Sequence, residues 1–268
     1  MRIKLALRPQ TKSCKLPINY AHPLSAAIYK LLQNASPDYS RWLHHHGYLF
    51  PDGKPRKLFV FSKLFIQKRK IDEDFISIFD YSPIQLFISS PMLEDFIQNF
   101  VVGLFSSQQI EIGNLKAGAK LIVESVETIA PPEFHQTTKF KCLSPIVVST
   151  KQEKQGRLME HYYRPSDNRL SEAIRNNLIK KFETIYQRSP QNDHLEFNLD
   201  HHYFQARGGD RGLSKLIKIK QGTPQETRIK AFEAPFFLTG SAELMATAWE
   251  CGIGNKNSMG FGMIENSA

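Results

Sequence analysis

Gly252-Ile253-Gly254-Asn255-Lys256-Asn257-Ser258-Met259-Gly260-Phe261-Gly262 sets two Gly-apolar-Gly pairs on either side of a polar pentapeptide that carries a lysine. Lacking a Cβ, glycine lets a backbone turn tightly and approach a partner where any other residue would clash. The outline is that of a phosphate cradle. A dinucleotide fingerprint would need a third glycine at Asn257 and a strand just before it, whereas residues 241–250 have helical periodicity, and a P-loop would need Gly-Lys-Ser/Thr. Neither motif is present. A plain loop between a helix and a last strand explains any one of the glycines, but not all four with Lys256 between them. The expectation is that Gly252, Gly254, Gly260 and Gly262, with Lys256 and Asn257, turn toward an anionic partner.

Working back from the loop, residues 139–268 read as a β-α-β-β-α-β unit. Residues 140–148 form a strand interrupted by Pro145, and 169–186 a long helix carrying Leu170, Ile174, Leu178, Phe182 and Ile185 on one stripe. Strands at 195–199, 214–220 and 228–237 lead to the helix 241–250 and a final strand at 261–265. Upstream, Pro131-Pro132 and the polar residues to Thr138 lack periodicity and make a linker at 130–138.

The first 129 residues have the same order. Ile3, Leu5 and Leu7 alternate with Arg2, Lys4, Ala6 and Arg8 on the other face, which predicts a half-buried strand. A helix follows over 23–34, and Ser36-Pro37 supplies an N-cap and first-turn proline for a second helix ending near Gly47. Residues 57–66 and 75–79 read as a hairpin with a charged tip, followed by a strand at 84–88, a helix starting at Ser90-Pro91, and strands at 109–112 and 120–126. The sequence therefore predicts an α+β fold of two tandem ferredoxin-like (βαββαβ) domains, 1–129 and 139–268.

Composition narrows the partner. Across 268 residues, 35 Lys and Arg outnumber 26 Asp and Glu, and the pI of about 9.4 suits a polyanion. Three scattered cysteines without a Cys-x-x-Cys pair indicate neither a disulfide framework nor zinc. The N-terminus has no apolar leader and no later run reaches ~18 apolar residues, so a cytoplasmic protein without a membrane association is expected.

Three clusters carry candidate chemistry. Lys54, Arg56, Lys57, Lys63, Lys68, Arg69 and Lys70 form a basic run with no carboxylate inside it, alternating with Phe59, Phe61 and Phe65. That pattern suits phosphate contact, with a solvated edge face as the alternative. Arg207-Gly208-Gly209-Asp210-Arg211-Gly212 is a second basic turn, read either as an RNA-backbone loop or as a plain mobile hairpin. His44-His45-His46 lacks the Cys or carboxylate companions of a metal site; imidazoles near neutrality suit proton transfer, and an exposed helix end suits them equally.

The loop's spacing, with a basic residue inside the central five, resembles the C-terminal glycine-rich loop of the repeat-associated RNA-binding superfamily of CRISPR systems. Within it the chain looks most like the endoribonuclease that processes repeat transcripts. Ala27-Ile28-Tyr29, Trp42-Leu43-His44 and Lys57-Leu58-Phe59 match the family's Leu-Ile-Tyr, Leu-His and Lys-Leu-Phe segments. The resemblance implies a catalytic set of Tyr29, His44 and Lys57. A longer segment from His45 to Arg56 leaves His45 or His46 as alternatives to His44, and Lys54 or Arg56 as alternatives to Lys57. The grip on CRISPR repeat RNA then falls to Lys54, Arg56, Lys68, Arg69, Lys70, Arg207, Arg211 and the glycine-rich loop.

Such a trio suits cleavage by the RNA's own 2′-OH: one group takes its proton, one protonates the leaving 5′-oxygen, and a cation meets the charged transition state. The resemblance implies no metal and no cofactor, and products ending in a 2′,3′-cyclic phosphate and a 5′-hydroxyl. It leaves open which of Tyr29 and His44 is the base, and whether the chain forms a homodimer or joins an effector complex. Two other readings are a non-catalytic RNA-binding subunit of such a complex and a general single-strand binder that stacks bases on Phe59 and Phe61.

Overall fold

A computed structural model describes residues 1–114, 116–154 and 156–267. The architecture is mixed α and β, with antiparallel sheets. In the first half the strand Arg2–Pro9 runs between Gly118–Ile129 and Ile84–Ser89, with Gln109–Gly113 beyond one neighbour and Val60–Phe61 beyond the other. Ile3, Leu5 and Leu7 are buried with the apolar stripes of the helices Ala21–Ala35 and Asn99–Ser107, the latter entered through a π-helical turn at Leu93–Gln98. In the second half the order is Leu195–Leu199, Phe236–Gly240, Thr137–Cys142 and Ile264–Asn266. The helices Leu170–Tyr186 and Ala242–Cys251 share that core through Ile174, Leu178, Leu244 and Ala248.

The caps behave as their residues require. Ser36 accepts from the Tyr39 amide and Pro37 opens the helix Pro37–His45; Ser241 accepts from the Leu244 amide at the start of Ala242–Cys251.

Several local expectations are corrected. Residues 57–66 do not pair with 75–79. Val60–Phe61 and Phe65–Ile66 pair separately with Ile84–Ser89, because between them the Lys63 amide donates to Leu143 O of the other half at 2.9 Å. Phe75–Phe79 instead pairs with Ser13–Pro17 and Arg69–Ile71 in a small sheet. The strand expected over 228–237 is two strands, Thr227–Phe232 and Phe236–Gly240, divided at Pro235, which has no N–H to offer a ladder. The 207–212 turn is largely helical: His201–Ala206 and Gly209–Leu213 flank Gly208. The hairpin Ser149–Lys154 with Arg157–Tyr162 has no counterpart in the sequence reading.

Arg2 departs from the half-buried pattern of the first strand. It points inward at 1% exposure, its guanidinium stacked 3.9 Å from the Trp249 ring centroid and donating to Trp249 O at 2.5 Å. Val60, Leu143 and Met263 form a small shared core nearby, and Lys63 pairs with Glu233 at 3.0 Å. These contacts fasten the two halves together. Among the described residues no helix is long and apolar enough to cross a membrane.

Candidate active site

The helix Ala21–Ala35 aligns His22, Ser25, Ala26, Tyr29, Lys30 and Gln33 along one face, as residues three and four apart must align. The helix Pro37–His45 does the same for Pro37, Ser40, Arg41 and His44. Ser40 Oγ donates to Tyr29 O at 3.2 Å and ties the two helices. Together with Lys57 and with Ser258 and Met259 of the glycine-rich loop, these faces enclose a cleft of about 750 Å³. Tyr29, His44 and Lys57, spread over 29 positions of sequence, therefore line one cavity.

Within it the Tyr29 ring meets His44 edge to face, 5.5 Å between centroids, and leans on buried Phe59 at 5.9 Å. Burial, and then the neighbouring Tyr39, push the Tyr29 phenol above its usual range. Burial pulls the Lys57 ammonium down from its ordinary value. His45 lines the same cleft, with its ring 4.9 Å from that of His44, whereas His46 lies at the helix end outside the lining. The sequence reading missed His22, a third imidazole of the cleft. Burial, and then Lys220, lower its pKa, which favours the neutral ring. Its place one helical face from Tyr29 was the available signal. Among the described residues no group of three or more His, Cys, Asp and Glu converges as a metal site requires.

The basic residues divide by location. Arg56 and Lys57 border a recess of about 290 Å³ with Lys256, and Lys54 and Arg56 border one of about 590 Å³ with Lys151 and Lys180. Arg56 is held by a two-pronged bond to Asp52, at 2.8 and 3.1 Å, and this holds the Asp52 carboxyl down to about 2. Lys68 pairs with Asp80 at 3.4 Å, Lys70 with Asp72 at 3.8 Å, and Arg69 donates to Ile66 O, all away from the cleft. Exposed Arg207 lies 5.2 Å from the Tyr203 ring, and Arg211 lines a separate recess with Lys215 and Lys230.

The four glycines of the glycine-rich loop are buried and pack closely against other parts of the chain, and Gly254 also borders the recess lined by Arg56, Lys57 and Lys256. A Cβ on Gly260, at φ +88°, would lie 2.7 Å from Phe61; one on Gly254, at φ +70°, would lie 2.3 Å from Val147 O. Only the tip reaches the cleft. Asn257 is also buried: its amide donates to Ile253 O and Phe261 O, and its oxygen accepts from Lys181. Lys256 pairs with Glu160 at 2.9 Å.

Comparison with known proteins defines the class first. A solved structure described as "An RAMP protein binding different RNA substrates" superposes with a TM-score of 0.79 over 100% of both chains at 23% identity, so the fold is that of RAMP proteins. Another, "CRISPR associated protein Cas6", gives a TM-score of 0.75 at 29% identity over 100% of this chain and 99% of its own. The family model "CRISPR-associated protein Cas6, N-terminal" matches residues 15–127, and "CRISPR associated protein Cas6, C-terminal" matches 129–266. The chain belongs to the CRISPR-associated Cas6 family. It is 31% identical to "CRISPR-associated endoribonuclease Cas6 1" of Methanocaldococcus jannaschii over 99% of this chain and 92% of the relative. It is 24% identical to "CRISPR-associated endoribonuclease Cas6" of Pyrococcus furiosus over 99% of this chain and 89% of that one.

Proposed function

We propose that this chain is an endoribonuclease that cuts CRISPR precursor RNA within its repeats, without a metal, using the RNA 2′-OH as nucleophile. The observation that carries the reading is the convergence of Tyr29, His44 and Lys57 on one cleft wide enough for a nucleotide. Attack of the 2′-oxygen on phosphorus breaks the bond to the 5′-oxygen and leaves a 2′,3′-cyclic phosphate and a 5′-hydroxyl. His44 accepts the 2′-OH proton. Tyr29, a phenol that is protonated at neutral pH, gives one to the departing 5′-oxygen. Lys57 meets the charge that builds on the phosphoryl oxygens.

The framework in this reading is two tandem ferredoxin-like units, 1–129 and 139–268, joined by 130–138. The sheet orders support it, since in each half the first strand lies between the third and the last. The Lys54, Arg56 and Lys57 recesses, the smaller of which shares Lys57 and Ser258 with the cleft, hold the phosphates flanking the cut.

The test is incubation of the protein with the repeat RNA encoded beside its gene, in EDTA. A single cut per repeat, with a cyclic phosphate on the upstream fragment, is expected. Tight binding without any cut would overturn the enzyme reading in favour of a non-catalytic RNA-binding subunit of an effector complex.

A further inference from the structure

Lys181 lies on the core-facing side of the helix Leu170–Tyr186, three residues after buried Leu178 and next to buried Phe182, at 3% exposure. An ammonium in that position is unfavourable unless each N–H finds an acceptor. Each does, and all the acceptors belong to the glycine-rich loop: Gly252 O at 2.6 Å, Gly254 O at 3.0 Å and Asn257 Oδ1 at 2.8 Å. Asn257 passes the restraint on by donating to Ile253 O at 3.1 Å and Phe261 O at 2.9 Å, so one lysine and one asparagine gather both glycine pairs.

The far side of the same loop meets the cleft. Ser258 and Met259 form part of its wall, and Ser25 Oγ donates to Ser258 O at 2.7 Å. Ser25 is one helical turn before Tyr29, on the same face. The loop is thus held from the second half by Lys181 and from the first by Ser25, with this wall of the cleft between them. Gly260, closed against Phe61 and Ala21, leaves no slack. Lys180, the residue before Lys181, reaches Asp52 at 3.6 Å, and Asp52 fixes Arg56 beside Lys57. One turn of a second-half helix braces both the loop wall and the lysine wall of a cleft whose catalytic set comes from the first half.

From this geometry we infer that Lys181 is a positioning residue for cleavage: its buried ammonium sets the glycine-rich loop so that Ser258 and Met259 hold the scissile nucleotide against Tyr29 and His44. The inference rests on the endoribonuclease reading. Lys181 is not part of the cleft wall beside Tyr29 and His44; it borders the neighbouring Arg56 and Lys57 recess, with its three N–H groups all directed to the loop.

The experiment compares the full-length parent with Lys181→Met, which keeps the chain's length and removes the charge, and with Ser25→Ala, which releases the loop's other tether at little risk to folding. Single-turnover cleavage of repeat RNA and the Kd of the same RNA made uncleavable by one 2′-deoxy residue are measured well below each melting temperature. Lys181→Met is expected to lower the cleavage rate tenfold or more with Kd within about twofold of the parent, and Ser25→Ala to lower the rate several-fold with Tm and Kd unchanged. A purely structural lysine would lower Tm while leaving the rate of the folded protein at the parental value, and that result overturns the inference. So does a Kd that weakens in step with the rate, which would make Lys181 a binding determinant. If Lys181→Met does not fold, Ser25→Ala decides, and a parental rate there overturns it. A parent that binds the repeat but never cuts it defeats the endoribonuclease reading instead, a failure seen before any variant is made.

Discussion

Lys57 and Lys68 belong to one uninterrupted basic run, yet the fold sends the two ends of that run to different places. Lys57 borders the cleft, Lys54 and Arg56 border the two recesses beside it, and burial alone moves the Lys57 ammonium from its ordinary value. Lys63, Lys68 and Lys70 meet Glu233, Asp80 and Asp72, carboxylates that all lie outside the run in sequence. A stretch free of acid in sequence is therefore not an acid-free surface. Exposed pairs such as Lys68–Asp80 are individually worth only ~0–1 kcal/mol, so pairing alone does not silence that end. Location separates the two: one end faces Tyr29 and His44, while the other edges a small sheet.

The largest expected effect tests whether the cleft end is the working one. His44→Ala should slow single-turnover cleavage ~10²- to 10⁴-fold, about 3–5 kcal/mol of barrier, with binding of uncut repeat retained. His46→Ala, outside the lining, should cut at the parental rate. If His45→Ala loses activity and His44→Ala does not, the catalytic imidazole is the neighbour in the same cleft and the comparison survives. Full activity in all three single variants would break it.

Next in size, Gly260→Val probes the middle of the run, where Phe61 packs. The new side chain meets the Phe61 ring and Ala21 at positive φ, and should destabilise the protein by about 2–4 kcal/mol in denaturant unfolding. Parental stability with weakened RNA binding would instead put this glycine at the RNA.

A smaller effect compares the two ends directly. Replacing Lys54 and Lys57 with Ala should reduce the slope of log K against log salt by roughly 0.7 for every single-stranded phosphate that is no longer neutralised, whereas replacing Lys68, Arg69 and Lys70 together should change it by less than that amount. A drop of about 2 in the triple variant would mean that the whole run grips RNA as one surface.

The smallest effect concerns the brace beside Lys57. Arg56, first through its hydrogen bonds, holds the Asp52 carboxyl at about 2 against its usual 3.8. A carboxyl with a depressed folded pKa adds stability that is present above the unfolded value and disappears as pH falls through the folded one. Asp52→Asn should therefore lower stability at pH 6 and lose that deficit between pH 4 and 2, measured by acid titration of the melting temperature.

Much of the fold was legible because local signals and tertiary packing agree. Ser36-Pro37, the alternation at Ile3, Leu5 and Leu7, and the stripe Leu170, Ile174, Leu178 and Phe182 each ended in the element they predicted. The cleft residues were legible only through the matched Tyr29, His44 and Lys57 segments, since nothing local says that residues so far apart share a cavity. What stayed hidden depends on partners distant in sequence. The break at Ser62 and Lys63 follows from a bond to Leu143, Arg2 is buried by Trp249, and the buried glycines are explained by Phe61 and Val147. Lys181 was invisible for a different reason: a lysine beside an apolar stripe reads as solvent-facing until its acceptors are known.

The most direct test of the central claim is a single 2′-deoxy substitution at the scissile nucleotide of the repeat RNA, assayed in EDTA for both cutting and binding. If the RNA's own hydroxyl attacks within the Tyr29, His44 and Lys57 cleft, cutting is abolished while Kd stays within about twofold, because one hydroxyl among many backbone contacts adds little affinity. Cleavage of the deoxy substrate at the parental rate would contradict the account.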